Sequence, residues 1–439
     1  MRSGYLWLAS FAAAPLAAWP LLAHPAYRRF SLACRAGLAA AVGGVLISGW
    51  MTLFGLAGIR WVPAILFVVS AMTAFLLRFL LLPESTRPPE KSGIEWSEAV
   101  ALGVSAAAIL IALFATTSAS ATSPDLILFW GPKAQAFASA RTFDVALLGD
   151  PAVHYLHVSY PPLVTNLYAF ASLVAGRFPW GAVTLTFPLC LAVLALSLPG
   201  ATREIGQRRT ALFASSFVVA AFGFLGNNLD VAGNGEPWLW LYETLGAALL
   251  LGPIATTSAG QLLAGLLLAG AASAKVEGLP FVLAAIALFL ILRRREVQTL
   301  SASVLLLAPT AVSLGAWFAF GATRRIFQGY EQYGSFFTVQ WSEFTHVSAS
   351  IGKAFWSAGW GLPWILPLAA FLIARRKSPL ALLPLLVSLA LAAFFVFTYL
   401  HQPDSTLWIS WSAGRVFSPL VSLLALASLQ RRGGEVSAR

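Results

Sequence analysis

Apolar runs of about 16 to 25 residues recur along the whole 439-residue chain, the length an α-helix needs to cross a hydrocarbon core of roughly 30 Å. The alternation with period two that marks an outer-membrane barrel is absent. Composition agrees: 59% of residues are hydrophobic and 10% charged, against roughly 25% charged in a soluble domain. The chain is therefore expected to be an all-α membrane protein, multi-pass and integral. The formal charge of +11 does not point to nucleic acid, because the basic residues stand in short runs between apolar segments, as topology signals do.

Spans are expected at about 5–23, 32–57, 61–82, 98–118, 180–199, 209–226, 236–253, 260–273, 278–292, 300–321, 359–374, 379–399 and 410–429, about 13 crossings. The run from Tyr5 to Ala23 lacks a basic leader beyond Arg2 and a small-residue cleavage site before His24, so it reads as a retained helix. Cys34 and Cys190 both fall in apolar segments, which argues against a disulfide or a thiolate metal site.

The segment from Pro161 to Ala175 decides the topology. If it does not cross, the clusters Arg28/Arg29, Arg87/Lys91, Arg203/Arg208/Arg209, Arg293/Arg294/Arg295, Arg375/Arg376/Lys377 and Arg431/Arg432 all share one side, which the positive-inside rule makes the cytoplasm. The loops of the other face then carry Asp125, Lys133, His154, His157, Asp230, Glu236, Lys275, Lys353 and His401. Two of those loops, 119–179 and 322–358, are far longer than connectors need to be, and their aromatic content argues against disorder.

Five strings lie on this face in order: D-x-x-x-x-W-x-x-K-A from Asp125 to Ala134, Y-P-P-L from Tyr160 to Leu163, E-P at Glu236 and Pro237, K-x-E-G from Lys275 to Gly278, and W-I-S-W-S-A-G-R-V-F-S-P from Trp408 to Pro419. Together they resemble the GT-C superfamily of membrane glycosyltransferases, in its protein O-mannosyltransferase and aminoarabinose transferase branch. The resemblance covers about residues 98–430. It implies a GT-C-like catalytic membrane domain over 98–430; the three-helix membrane extension at 1–97 departs from the family's minimal core, and 431–439 is read as a cytoplasmic tail. It also implies long non-cytoplasmic loops bearing short surface helices, and a Y-P-P-L segment lying at the membrane surface.

The implied activity is transfer of a sugar from a polyprenyl-phosphate donor to a glycan, lipid or protein acceptor, by a single inverting displacement. The expected location is a bacterial cytoplasmic (inner) membrane, with the active site on the periplasmic or extracellular face. A polyprenyl phosphate leaves as a stable anion, so the enzyme has to activate a hydroxyl and neutralise phosphate. No cofactor is required, although the chemistry leaves room for a divalent cation.

By this resemblance Asp125 is the candidate catalytic base, its bland alternative being the N-cap of a helix beginning at Leu126. Glu236 is a candidate acceptor contact or a helix-start acid. Lys133, Lys275 and Arg415 are candidates for the lipid phosphate. Lys133 could instead snorkel to headgroups, Lys275 could pair with Glu277 at a hairpin tip, and Arg415 could sit in a structural ion pair. Trp130, Tyr160, His154 and His157 are candidates for acceptor or sugar contacts. His154 and His157 stand three apart, close enough to share a metal if helical; no third ligand is obvious, although His346, Glu331 and Glu343 are possible contributors, and no metal is expected. Glu243, two turns along from Glu236, should need a polar cavity or a basic partner. The aromatics between Thr323 and Ser357 suit an interfacial belt or a sugar-stacking surface. The competing function is a polytopic transporter or flippase for a lipid-linked or small polar substrate, although no internal repeat is visible.

Overall fold

The computed structural model describes residues 2–81, 95–118, 123–178, 180–225, 231–326, 339–357, 361–373, 379–402 and 404–429. Among them every regular element is a helix. In order they are α1 (Arg2–Leu22), α2 (Leu32–Leu56), α3 (Pro63–Phe79), α4 (Trp96–Ser118), α5 (Gly131–Ala140), α6 (Val145–Gly149), α7 (Leu163–Ala175), α8 (Trp180–Val183), α9 (Thr186–Arg203) and α10 (Arg208–Leu225). There follow α11 (Glu236–Leu251), α12 (Ser258–Ala274), α13 (Gly278–Leu292), α14 (Thr299–Arg324), α15 (Phe344–Ser357), α16 (Gly361–Ile373), α17 (Leu382–Tyr399), α18 (Ser405–Val416) and α19 (Ser418–Leu429). Six stretches are long and apolar enough to cross a membrane: Leu32–Leu56, Trp96–Ser118, Trp180–Arg203, Thr299–Arg324, Pro379–Tyr399 and Ser405–Leu429. The shorter apolar helices include Pro63–Phe79, Leu163–Ala175, Ser258–Ala274 and Gly278–Leu292.

Helices apolar all round belong inside a bundle, and α11 is buried along its whole length, as is α12 from Ala259 to Ala274. Small residues let these helices approach closely. A Cβ at Gly270 would run into the Tyr242 ring, and one at Gly265 into the Leu305 carbonyl. The N-terminal helices join the same core: Tyr242 Oη donates to Ala41 O at 3.0 Å, and Asn166 Nδ2 of α7 donates to Ser48 O at 3.1 Å. At the periphery α3 leaves Val68, Met72, Leu76 and Phe79 exposed, as a lipid-facing surface requires.

Ion pairs define one end of the bundle. Arg208, which opens α10, binds Glu98 at the start of α4 through two contacts of 2.6 and 2.7 Å. Arg209 pairs with Glu95, and Arg29 reaches Glu204 at 3.3 Å. Thr184 Oγ1, just before α9, donates to Thr116 O near the far end of α4 at 3.4 Å. So α4 leaves the charged end, α9 returns to it, and α7 between them does not carry the chain across. Its 13 residues span only about 20 Å at 1.5 Å per residue. The placement of Pro161 to Ala175 inferred from charge thus agrees with contacts at both ends of the flanking helices. The clusters at Arg87/Lys91, Arg375/Arg376/Lys377 and Arg431/Arg432 lie outside the described residues.

One boundary differs from expectation. The last span was expected as one helix over 410–429, but the chain turns helical at Ser405 and breaks at Phe417 into α18 and α19. Pro419 has no N–H to give and its ring crowds the preceding turn. Arg415 therefore lies in the last turn of α18, where a cation suits the helix dipole, and within the apolar stretch Ser405–Leu429.

Candidate functional site

At the end of the bundle opposite the Arg208–Glu98 pair, four separate chain segments meet. The first begins at Ser123, whose Oγ and main-chain O accept from the N–H groups of Leu126 and Ile127. Ser123 is thus the local cap, and Asp125 makes no side-chain capping bond. The next residues, Leu126–Trp130, form a π-turn in which Gly131 N–H reaches Leu126 O, five residues back.

Asp125 faces α18. Its Oδ2 lies 2.6 Å from Arg415 Nη1 and accepts from Asn234 Nδ2 at 2.8 Å. Glu236, the first residue of α11, is buried and accepts from Lys275 Nζ through Oε1 at 3.0 Å. Arg415 Nη1 stands 3.5 Å from that same oxygen, so one guanidinium nitrogen bridges Asp125 and Glu236. Lys275 also pairs with Glu277 at 3.4 Å. Burial alone would depress the Lys275 ammonium, but the carboxylates of Glu236 and Glu277 outweigh it and hold the group above the ordinary lysine range. Lys275 reaches Glu236 because α12 ends there in extended backbone. Its stem packs on Gly235, where a Cβ would come within 3.0 Å of it.

These groups line a cavity of about 690 Å³, walled by aromatics that include Tyr155, Tyr160, Phe395, Tyr399, Trp408 and Trp411. Tyr399 Oη lies 2.8 Å from Ser412 Oγ, tying α17 to α18. The ring of His157 stacks on Tyr160 with centroids 4.7 Å apart and meets Phe129 edge-on at 4.5 Å. The His157 backbone is left-handed, with φ +49°, which is strained for a residue with a Cβ.

Of the residues singled out from sequence, Asp125, Glu236, His157, Tyr160, Lys275 and Arg415 line this cavity. Trp130 and Lys133 do not. Trp130 is buried behind the wall, with Nε1 donating to Asn234 Oδ1 at 3.1 Å. Lys133 is also buried, and its Nζ donates to the carbonyls of Leu156 (3.3 Å) and His157 (3.1 Å), so it neither snorkels nor faces a phosphate in this conformation. Burial pushes its ammonium down to about 7. A neutral amine retains two N–H donors, enough for both carbonyls.

The side chain of His154 lies outside what is described, as do Asp230, Tyr330, Glu331, Tyr333, Phe336 and Phe337. His346 instead bonds Thr406 Oγ1 at 2.8 Å, His401 Nδ1 contacts Phe397 O at 2.8 Å, and Lys353 is exposed on α15. Trp341 and Phe344 are exposed, as an interfacial belt requires. Glu243 does not line this cavity: it is buried, and its Oε2 has no hydrogen-bond donor among the described residues. Sequence reading missed Asn234, a neutral amide whose signal was its place between two glycines directly before the E-P helix start.

Among the described residues the fixed charge of the wall is unusual for an anion site, because three carboxylates (Asp125, Glu236, Glu277) face two cations (Lys275, Arg415). Both cations arrive already matched. An incoming phosphate would therefore share them with the carboxylates instead of finding them vacant. Comparison with protein-family models, with curated proteins and with solved structures finds no match to this chain.

Proposed function

We propose that this protein is a membrane glycosyltransferase with a GT-C-like core and about 13 membrane crossings, the shorter apolar helices other than Leu163–Ala175 included. It moves a sugar from a polyprenyl-phosphate donor to an acceptor hydroxyl at the non-cytoplasmic surface, in a bacterial inner membrane. One observation carries the reading: Asp125, Glu236, Lys275 and Arg415, drawn from four segments of the chain, converge on a single aromatic-walled cavity at the end of the bundle away from the paired basic cluster.

In this reading Asp125 takes the acceptor's proton late in the displacement, when the anomeric carbon is most electron-poor. Arg415 and Lys275 stabilise the departing phosphate, and their salt bridges keep both groups fixed before the donor arrives. Glu236 accepts from substrate hydroxyls. Tyr160, Trp408 and Trp411 supply faces on which a sugar ring can stack. The test is incubation of membranes with a panel of radiolabelled polyprenyl-phosphate sugars, followed by extraction of labelled product.

A second reading, transport or flipping of a lipid-linked or small polar substrate, is favoured by Glu243. A buried acid inside a membrane helix is a functional signal by default, and sugar transfer leaves this one unused. Movement of labelled substrate across a sealed vesicle without covalent transfer would select that reading.

A further inference from the structure

Asn234 holds both ends of the D-x-x-x-x-W string. Its Nδ2 donates to Asp125 Oδ2 at 2.8 Å, while its Oδ1 accepts from Trp130 Nε1 at 3.1 Å and from the Gly235 N–H at 2.6 Å. An indole N–H and a backbone N–H can only donate. The amide oxygen must therefore face them, and the amide NH₂ must face the carboxylate, which fixes an orientation that is otherwise ambiguous.

The π-turn makes this grip geometrically available. In an α-helix, residues five apart point about 140° away from each other around the axis. A turn closed by i→i+5 bonds brings them back toward one face, and Asp125 and Trp130 flank such a turn. The consequence falls on Asp125. Its Oδ2 takes two donors, Asn234 and Arg415. Its Oδ1 takes none from the described residues, although the carboxylate lines the cavity and its side chain is 21% exposed.

We propose that Asn234 is a positioning residue that, steadied by Trp130, saturates one oxygen of Asp125 and thereby presents the other, Oδ1, to the cavity as the proton acceptor. This rests on Asp125 being the base of the proposed transfer. The proposed role requires the Asn234 bond to act on the protonation of Asp125, and not only on the packing of the π-turn against α11. The other charged or titratable groups on the same cavity are Arg415, Glu236, Lys275, Glu277, His157, Tyr155, Tyr160 and Tyr399, and all are retained in the variants below.

The experiment treats the full-length protein in detergent with a hydrophobic carbodiimide, which adds to protonated carboxyls, and follows modification of Asp125 against pH by peptide mass spectrometry. Losing a hydrogen bond to the charged form favours the neutral one, so in Asn234→Leu the modification midpoint should rise by about one pH unit, tenfold in proton affinity. Asn234→Asp should raise it at least as far. Trp130→Phe, which leaves Asn234 in place but less firmly held, should raise it by less. A folded Asn234→Leu protein with an unmoved midpoint overturns the proposal. Should that variant not fold, Trp130→Phe decides, an unmoved midpoint again overturning it. A raised midpoint in Asn234→Leu, alongside a wild type that uses no polyprenyl-phosphate sugar, supports the orientation of Asp125 while sinking the transferase reading. Transfer with an unmoved midpoint does the reverse.

Discussion

Arg415 Nη1 and Asp125 Oδ2 lie 2.6 Å apart although 290 residues separate them in the chain. The proposed base in the first long loop and a guanidinium from α18 thus form a single charge unit, at 21% and 20% side-chain exposure. Arg415→Gln should destabilise the protein by about 1.5–3 kcal/mol, the range for a hydrogen bond between charged groups. Donor binding should weaken by roughly 10- to 150-fold for the same free energy. Thermal unfolding and donor titration in detergent measure both. The Asp125→Asn/Arg415→Gln double variant should lose less stability than the two single losses added together, because the pair is shared. Loss of stability with normal donor binding would make Arg415 structural.

Lys275 and Glu236 form the deeper pair. Lys275→Met leaves Glu236 buried with only the more distant Arg415, and should cost about 3–5 kcal/mol, as removal of one partner from a buried pair does. Adding Glu236→Gln should restore part of that loss. Unfolding midpoints of the single and double variants provide the check.

Lys133 sets a pH dependence whose sign is opposite to that of a salt-bridged lysine. Its ammonium is pushed from 10.5 down to about 7 by burial, so between those values the unfolded chain holds a proton that the folded protein lacks. Stability should therefore rise with pH across this window, by up to about 1.4 kcal/mol per unit. Lys133→Met should remove that slope and stabilise the protein most at pH 7 and below. Unfolding temperatures from pH 6 to 10 would show it.

Topology makes a labelling prediction. Cysteines placed at Tyr155 and at Arg325, both exposed at the cavity end, should react with an impermeant thiol reagent in intact cells. Cysteines at Arg203 and Arg294, exposed at the other end, should react only after permeabilisation. Reaction at Arg203 in intact cells would place the paired basic cluster outside.

Much of the scaffold was legible in the chain. The apolar run read as 32–57 is α2 at Leu32–Leu56, and the run read as 278–292 is α13 at Gly278–Leu292, because in a membrane solvent the hydrophobic length is itself the helix signal. Asp125, Glu236, Lys275 and Arg415 stood out as charges where charge is rare. Their pairing did not, since it depends on loops approaching from 39 and 290 residues away, and no local pattern encodes that approach. The inward turn of Lys133 was hidden for the same reason: three residues after Trp130 it shares that residue's helical face, and which way the face points is set by packing against Leu156 and His157. The break at Phe417 had a visible cause in Pro419, outweighed by the continuity of the apolar run.

The most direct measurement is transfer by the purified protein in lipid, comparing wild type with Asp125→Asn across radiolabelled polyprenyl-phosphate sugars and a membrane extract as acceptor. Asp125→Asn keeps the shape of the side chain and removes its basicity. The account predicts labelled product from at least one donor with the wild type. It predicts a loss of roughly 100-fold or more with Asp125→Asn, the scale of a lost general base, in protein that remains folded at the assay temperature. Near-wild-type transfer by Asp125→Asn, or no covalent product from any donor, would contradict it.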